Sequence, residues 1–265
     1  MPPLDSVAVD ADAASHGDDA GRRPSRRRRT RRTWVEGGSS VRRWGYDLLG
    51  WALICYGAGV MAAMTLETLV PGLMSGVPAT AILWLGMGVP VLLALRRSVP
   101  RGLLHFRWLD LLYGVVLGGM LRIVQGWLEV ASGGSGAVPS YTLFDGALPT
   151  TFWVREVAGP VIVSPLLEEF FFHGVLLVVL YTVTRRSLGV RTAGFISIAA
   201  TTGLFVLSHG IDGGMLWGEA VSLLLVGGVC GLLVLSTGRI WGAVLTHIVF
   251  NGLYVMLALA GTVLA

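Results

Sequence analysis

The chain has 265 residues, 54% of them hydrophobic and 14% charged, with a mean hydropathy of +0.70. Soluble domains carry roughly 25% charged residues. This shortage of charge, together with continuous apolar runs of about 20 residues, describes an all-α polytopic membrane protein. It excludes a soluble enzyme, a secreted disulfide scaffold and a disordered protein, and unbroken runs exclude a transmembrane barrel of alternating strands. All 20 basic residues are Arg, and the formal net charge of +4 has one address. Residues 1–43 hold ten Arg against six acids, whereas 44–265 hold ten of each.

Residues 1–43 are polar and lack an apolar period, so they are expected to be a disordered tail. The run Arg26 to Arg32 lies ahead of the first span, where basic residues retain the N-terminus in the cytoplasm and attract anionic lipid. That placement argues against nucleic-acid binding, and no nucleic-acid partner is expected. Seven apolar segments follow in the membrane domain, 44–265, at about 48–69, 79–95, 108–130, 153–184, 191–209, 216–236 and 240–261. Each can cross a core of about 30 Å at 1.5 Å per residue. The connections after the second, fourth and sixth carry Arg96, Arg97, Arg101, Arg107, Arg185, Arg186, Arg191 and Arg239, while 70–78, 131–152 and 210–215 carry none. The Arg-bearing loops are therefore expected in the cytoplasm and the C-terminus outside, in a bacterial plasma membrane given the GC-rich codon usage that all-Arg basicity implies. Arg122 and Arg155 depart from this alternation. Arg122 is seven residues before Glu129 and can pair with it or with another span.

Gly114/Gly118 and Gly227/Gly231 are spaced for close helix approach. Residues 131–152, with Gly133-Gly134-Ser135-Gly136 and Pro139, read as an irregular loop. Cys55 and Cys230 are isolated in separate apolar segments and read as buried, inert thiols.

Ionisable groups inside apolar spans point to function. The fourth segment contains Pro165-Leu-Leu-Glu168-Glu169-Phe-Phe-Phe-His173, the fifth ends Phe205-Val-Leu-Ser-His209, and the seventh contains His247-Ile-Val-Phe-Asn251. His173 shares a helix face with Glu169, as Asn251 does with His247. Together Glu168, Glu169, His209, His247 and Asn251 could line one polar cavity formed by the last four helices. Glu and His can activate water, and His or Asn can hold an oxyanion. The same donor types suit zinc, with Glu168, His209 and His247 as its ligands. A divalent metal and a metal-free site therefore both remain open.

These three strings resemble the motifs of the CPBP family: type II CAAX prenyl endopeptidases, bacteriocin-processing enzymes and Abi immunity proteins. The family pattern is E-E-x-x-x-R, F-x-x-x-H and H-x-x-x-N/D on successive membrane helices, and order and spacing match over about 153–261. The resemblance implies an intramembrane endopeptidase acting on a peptide or membrane-protein substrate. It implies that Glu168 and His209 hold and activate water, that His247 and Asn251 stabilise the oxyanion, and that Glu169, His173 and Phe205 support them. His173 stands where the family has Arg, so a permanently charged fork is replaced by a conditionally charged ring. A membrane scaffold or self-immunity protein that binds without cleaving is the alternative, and a transporter a weaker one, since no inverted repeat is visible. Other intramembrane protease signatures fail: H-E-x-x-H is absent, and Ser135 in its G-x-S-G string sits in a loop with no helix behind it.

Depth poses a difficulty. Counted from the nearest Arg of a connection, Glu169 and His209 lie roughly 24–27 Å into their helices but His247 only about 12 Å. Tilt, a kink near Pro160 or Pro165, or a cytoplasmic extension of the fourth helix is needed to bring them together.

Overall fold

The computed structural model describes residues 33–70, 73–210 and 215–264. Residues 1–32 of the tail expected over 1–43, with its Arg run and its anionic-lipid partner, lie outside the described residues. Among these residues the fold is all-helical, with six helices long and apolar enough to cross a membrane. They are α1 (Tyr46–Leu69), α2 (Leu73–Arg97), α3 (Trp108–Ala131), a composite helix over Trp153–His209, α6 (Trp217–Thr237) and α7 (Trp241–Leu264). The composite helix merges the fourth and fifth segments of the sequence. Its corner is Gly189, at φ 78° and ψ 165°, a backbone region open essentially only to glycine. The non-helical Gly189 divides this stretch into two helical arms, so the seven apolar segments correspond to seven arms, the fourth and fifth joined directly at the corner.

The composite helix is not uniform. It runs as a π-helical segment (Trp153–Val163), a short α4 (Ser164–Glu168), a second π-helical segment (Glu169–Leu176) and α5 (Leu177–His209). Pro160 and Pro165 each lack an N–H, which removes ladder bonds and favours irregular winding. Hydrophobic periodicity does not reveal a π-turn, which is rare and concentrates at functional sites. Here the second one begins at Glu169, directly after Glu168 ends α4.

Glycines let the helices approach closely. A Cβ on Gly114 would lie 2.6 Å from Leu245 Cβ, and one on Gly118 2.7 Å from the Thr246 carbonyl. Gly59 and Gly86 face each other between α1 and α2 at 3.2–3.3 Å. Gly227 meets Thr202 and Phe205, and Gly231 meets Leu177 and His173. Outward-facing Leu85, Ile123 and Phe195 are exposed, as lipid-contacting side chains are.

Disorder across 1–43 does not hold for 33–43. Trp34 and Val41 are 1% exposed and Trp44 2%. Trp34 Nε1 donates to the Gly238 carbonyl at 2.8 Å, Trp44 Nε1 to Ala94 at 2.9 Å, and Tyr181 Oη to Val35 at 3.1 Å. Two indoles and a valine are enough apolar surface to dock a segment whose other residues are polar. Cys230 is buried as expected, but Cys55 is only half-buried; both are free.

Nor does Arg122 pair with Glu129. Its guanidinium donates to the Phe250 carbonyl and to Gln125 Oε1, and lies 3.9 Å from the Phe250 ring centre. Asp110 is a further charge that periodicity hid. Fully buried, it accepts from Arg239 Nε at 3.1 Å and Nη2 at 2.6 Å, and from the Arg107 N–H at 2.8 Å. These bonds tie the start of α3 to the α6–α7 turn. They also raise the Arg239 pKa above its ordinary value, the hydrogen bonds to Asp110 being the main cause.

Candidate functional site

The depth difficulty is resolved by the length of the composite helix. A Cβ on Gly174 would point at Ile240 Cδ1, 3.9 Å away, so Gly174 is level with the start of α7. The helix then continues to residue 188, roughly 21 Å further towards the Arg-bearing loops. Counting depth from Arg185 therefore overstated it. Glu169 and His247 stand level, five and seven residues from that contact.

Around this level the motif side chains meet. His247 Nδ1 lies 2.9 Å from Glu169 Oε1, and its Nε2 lies 3.9 Å from Glu168 Oε2. An ionised carboxylate only accepts, so the proton of this bond sits on Nδ1 and Nε2 is turned to Glu168. Glu169 is 1% and His247 4% exposed. The Glu168 carboxylate accepts from Ser164 Oγ, one turn earlier, and Ser164 Oγ in turn lies 3.5 Å from Trp84 Nε1. Phe205, fully buried, separates the two histidines: its ring centre is 4.5 Å from that of His209 and 5.8 Å from that of His247. The spacing F-x-x-x-H places it there, because residues four apart share a helix face. His209 Nδ1 lies 2.9 Å from the Phe205 carbonyl, which leaves Nε2 for other partners.

Glu168 and His209 line one cavity of about 260 Å³ with Tyr56, Trp84, Phe172 and Ser208. Its floor is buried, with Phe172, Met87 and Tyr56, whereas His209, Glu67 and Thr80 are exposed at its rim. The five residues do not line a single cavity. Glu169 and His247 form a buried pair behind Glu168. Asn251 lines a second cavity of about 670 Å³, with Arg122, Glu129, Tyr141, Glu156 and Glu219. The Asn251 amide donates to the Pro160 carbonyl at 2.8 Å. In the π-segment the Ser164 N–H bonds the Gly159 carbonyl, and Pro165, five residues after Pro160, has no N–H to donate to the Pro160 carbonyl.

His173 is fully buried and its Nε2 is 3.9 Å from Glu169 Oε2, too far for a direct hydrogen bond. Neither ring nitrogen of His173 nor Glu169 Oε2 has a hydrogen-bond partner among the described residues. Burying such groups unpaired costs about 1–3 kcal/mol each. An Arg fork would reach further than the imidazole does.

A metal does not fit these donors. Among the described residues no group of three or more His, Cys, Asp or Glu side chains is arranged to hold one ion. The Nδ1 atoms of both histidines face protein oxygens, which leaves both Nε2 atoms open to a further partner. Glu168, His209 and His247 are nonetheless not gathered as one three-donor site. Ser135, the residue of the G-x-S-G string, is exposed, and its hydroxyl accepts from the Ala137 N–H within its own loop.

Sequence reasoning missed Ser164, Trp84 and Tyr56. Ser164 had a signal, lying four residues before Glu168; Trp84 and Tyr56 are ordinary aromatic residues of spans, placed by tertiary packing alone.

Comparison with known proteins agrees with this geometry. Residues 150–253 match the family model described as Type II CAAX prenyl endopeptidase Rce1-like. Over that stretch the chain is similar to this family, consistent with the resemblance of the three motifs to the CPBP pattern. The matched stretch spans the composite helix, α6 and the first half of α7, and so contains all three motifs. No curated protein and no solved structure matches the chain.

Proposed function

We propose that the protein is an intramembrane endopeptidase that hydrolyses a peptide bond with water activated by Glu168 and His209. The observation that carries this reading is their convergence on one partly enclosed cavity from separate stretches of the composite helix, with His247 3.9 Å from Glu168. In this scheme a substrate carbonyl enters the cavity, and water is held between the Glu168 carboxylate and His209. Glu168 accepts the water proton as oxygen attacks the carbonyl carbon, then delivers it to the leaving amine. Ser164 fixes the rotamer of Glu168 through its hydroxyl. Glu169 orients His247, whose Nε2 faces the reacting centre and supports charge developing there, directly or through one water. Asn251 acts through position, tying α7 to the π-helical segment at Pro160 rather than touching the substrate. No step passes through a metal.

The competing reading is a scaffold or immunity protein that retains the cavity but not the reaction. The observation that favours it is His173, which leaves Glu169 Oε2 unpartnered where the family has Arg. Purified protein in proteoliposomes separates the two. With a peptide substrate, wild type cleaves and Glu168→Ala loses activity by about 10²–10⁴-fold, the usual contribution of a general base. Equal turnover by both proteins would remove Glu168 from the mechanism, and binding without cleavage by both would favour the scaffold.

A further inference from the structure

We propose that the cavity of Glu168 and His209 is entered from the Arg-poor face of the membrane, and that its substrates are peptide segments presented there. With Arg-bearing loops on the cytoplasmic side, that face is the non-cytoplasmic one. The substrate class is then an exported or externally exposed juxtamembrane segment, not the cytoplasmic tail of a lipid-anchored protein. The substrate part of this inference rests on the endopeptidase reading; the direction of entry does not.

The lining residues carry the argument. In α1 the Arg end is at Tyr46, where Asp47 pairs with Arg97. The cavity takes Tyr56, Val60, Met64 and Glu67, running from mid-helix to the opposite end. In α2 the Arg end is Arg96–Arg97, and the cavity takes Thr80, Trp84 and Met87 from the far half. In α5 it takes Ser208 and His209, the last residues of the helix, with Arg191 at the other end of that arm and Arg185 and Arg186 just before the corner at Gly189. Exposure grades in the same direction. Met87, Phe172 and Tyr56 are buried at mid-depth, whereas Glu67, Thr80 and His209 are exposed near the Arg-poor ends. On the Arg-rich side Phe171, Phe172, Leu176 and Leu177, all 2% exposed or less, close the way behind the carboxylates.

Charge narrows the occupant. Glu67 and Glu168 face this cavity, and Glu129, Glu156 and Glu219 line its neighbour on the same side. Among the described residues that line either cavity, the one Arg is Arg122, which is engaged by the Phe250 carbonyl and Gln125. A neutral or basic segment is compatible with this field, and an acidic one is repelled.

Cysteine accessibility tests the direction without requiring catalysis. In the full chain with Cys55→Ala and Cys230→Ala, Glu67→Cys on α1 and Thr80→Cys on α2 are probed separately. Arg101→Cys, exposed on the Arg-rich side, serves as the reference. A membrane-impermeant maleimide is applied to intact cells and to inverted membrane vesicles. Labelling of both rim positions in intact cells, with Arg101→Cys labelled only in inverted vesicles, is expected. Rim labelling only in inverted vesicles, on the same side as Arg101→Cys, would overturn the proposal, as would protection of both rim positions from both sides. For the substrate class, new N-termini formed by wild type but not by Glu168→Ala should map to exported segments. Cytoplasmic tails among them would contradict it. If labelling succeeds and no wild-type-specific N-termini form, the direction of entry stands and the endopeptidase reading fails.

Discussion

At the scale of single residues, the centre is built from a few contacts that hold Glu168 against a wall of buried groups. Ser164 fixes one side of its carboxylate, and His247, itself held by Glu169 at 2.9 Å, stands on the other. Groups joined this way act as a unit, so their removal is not additive. His247→Ala and Glu169→Gln are each expected to lower the cleavage rate. The double variant should be little slower than the worse single one, measured with one peptide at saturating concentration; fully multiplicative losses would show the pair to be independent. Much of this was legible in the sequence, because paired residues four apart on one helix fix which side chains share a face. The i, i+4 spacing in F-x-x-x-H put Phe205 against His209. The same rule misled for Asn251. It shares a face with His247, yet a full turn along α7 carried it past the buried pair into a different cavity, where Pro160 takes its amide. Spacing gives direction around a helix but not which neighbour stands opposite.

At the scale of elements, glycines and one buried ion pair set how the helices meet. Gly118 sits against the backbone of α7, whereas a Cβ on the adjacent Gly119 would meet nothing within 4 Å. Gly118→Ala is therefore expected to destabilise by about 1–3 kcal/mol through overpacking. Gly119→Ala should be neutral or stabilising by about 0.5–1 kcal/mol. Unfolding in mixed micelles followed by circular dichroism distinguishes them, and equal effects would mean that α3 and α7 are not in close packing at this level. Asp110→Ala leaves Arg239 without its carboxylate and is expected to cost about 3–5 kcal/mol, since a lone buried charge is penalised beyond the loss of the pair. Asp110→Ala combined with Arg239→Met should recover most of that loss. The glycine spacings were readable in the sequence. The Asp110–Arg239 pair was not, because its members are 129 residues apart and each alone reads as an interfacial charge. The π-helical turns were equally hidden, since the residue types of a π-segment are those of any apolar helix.

For the whole molecule, scarcity of charge defined the membrane fold and the exceptions defined the site. The number of helical arms was legible from the apolar runs, and the short Arg-bearing stretch between the fourth and fifth holds the corner at Gly189. The N-terminal boundary was misjudged for a physical reason: polar residues dominate 33–44, but three buried side chains among them decide its fate. Trp34→Ala removes an indole that is 1% exposed and hydrogen-bonded to Gly238. It is expected to destabilise the protein by about 3–5 kcal/mol, read as a lower unfolding midpoint in the same micelles, and an unchanged midpoint would detach this segment from the core.

The most direct test of the central claim uses Glu168→Gln, which keeps the shape of the side chain and its contact with Ser164 but removes its capacity as a base. Wild type and variant are expressed to equal levels, and membrane-protein N-termini are compared by mass spectrometry alongside cleavage of a peptide bearing one wild-type cleavage site. The account predicts that the wild-type N-termini vanish in the variant and that peptide cleavage falls by at least about a hundredfold. The same N-termini and an unchanged cleavage rate in Glu168→Gln would contradict it.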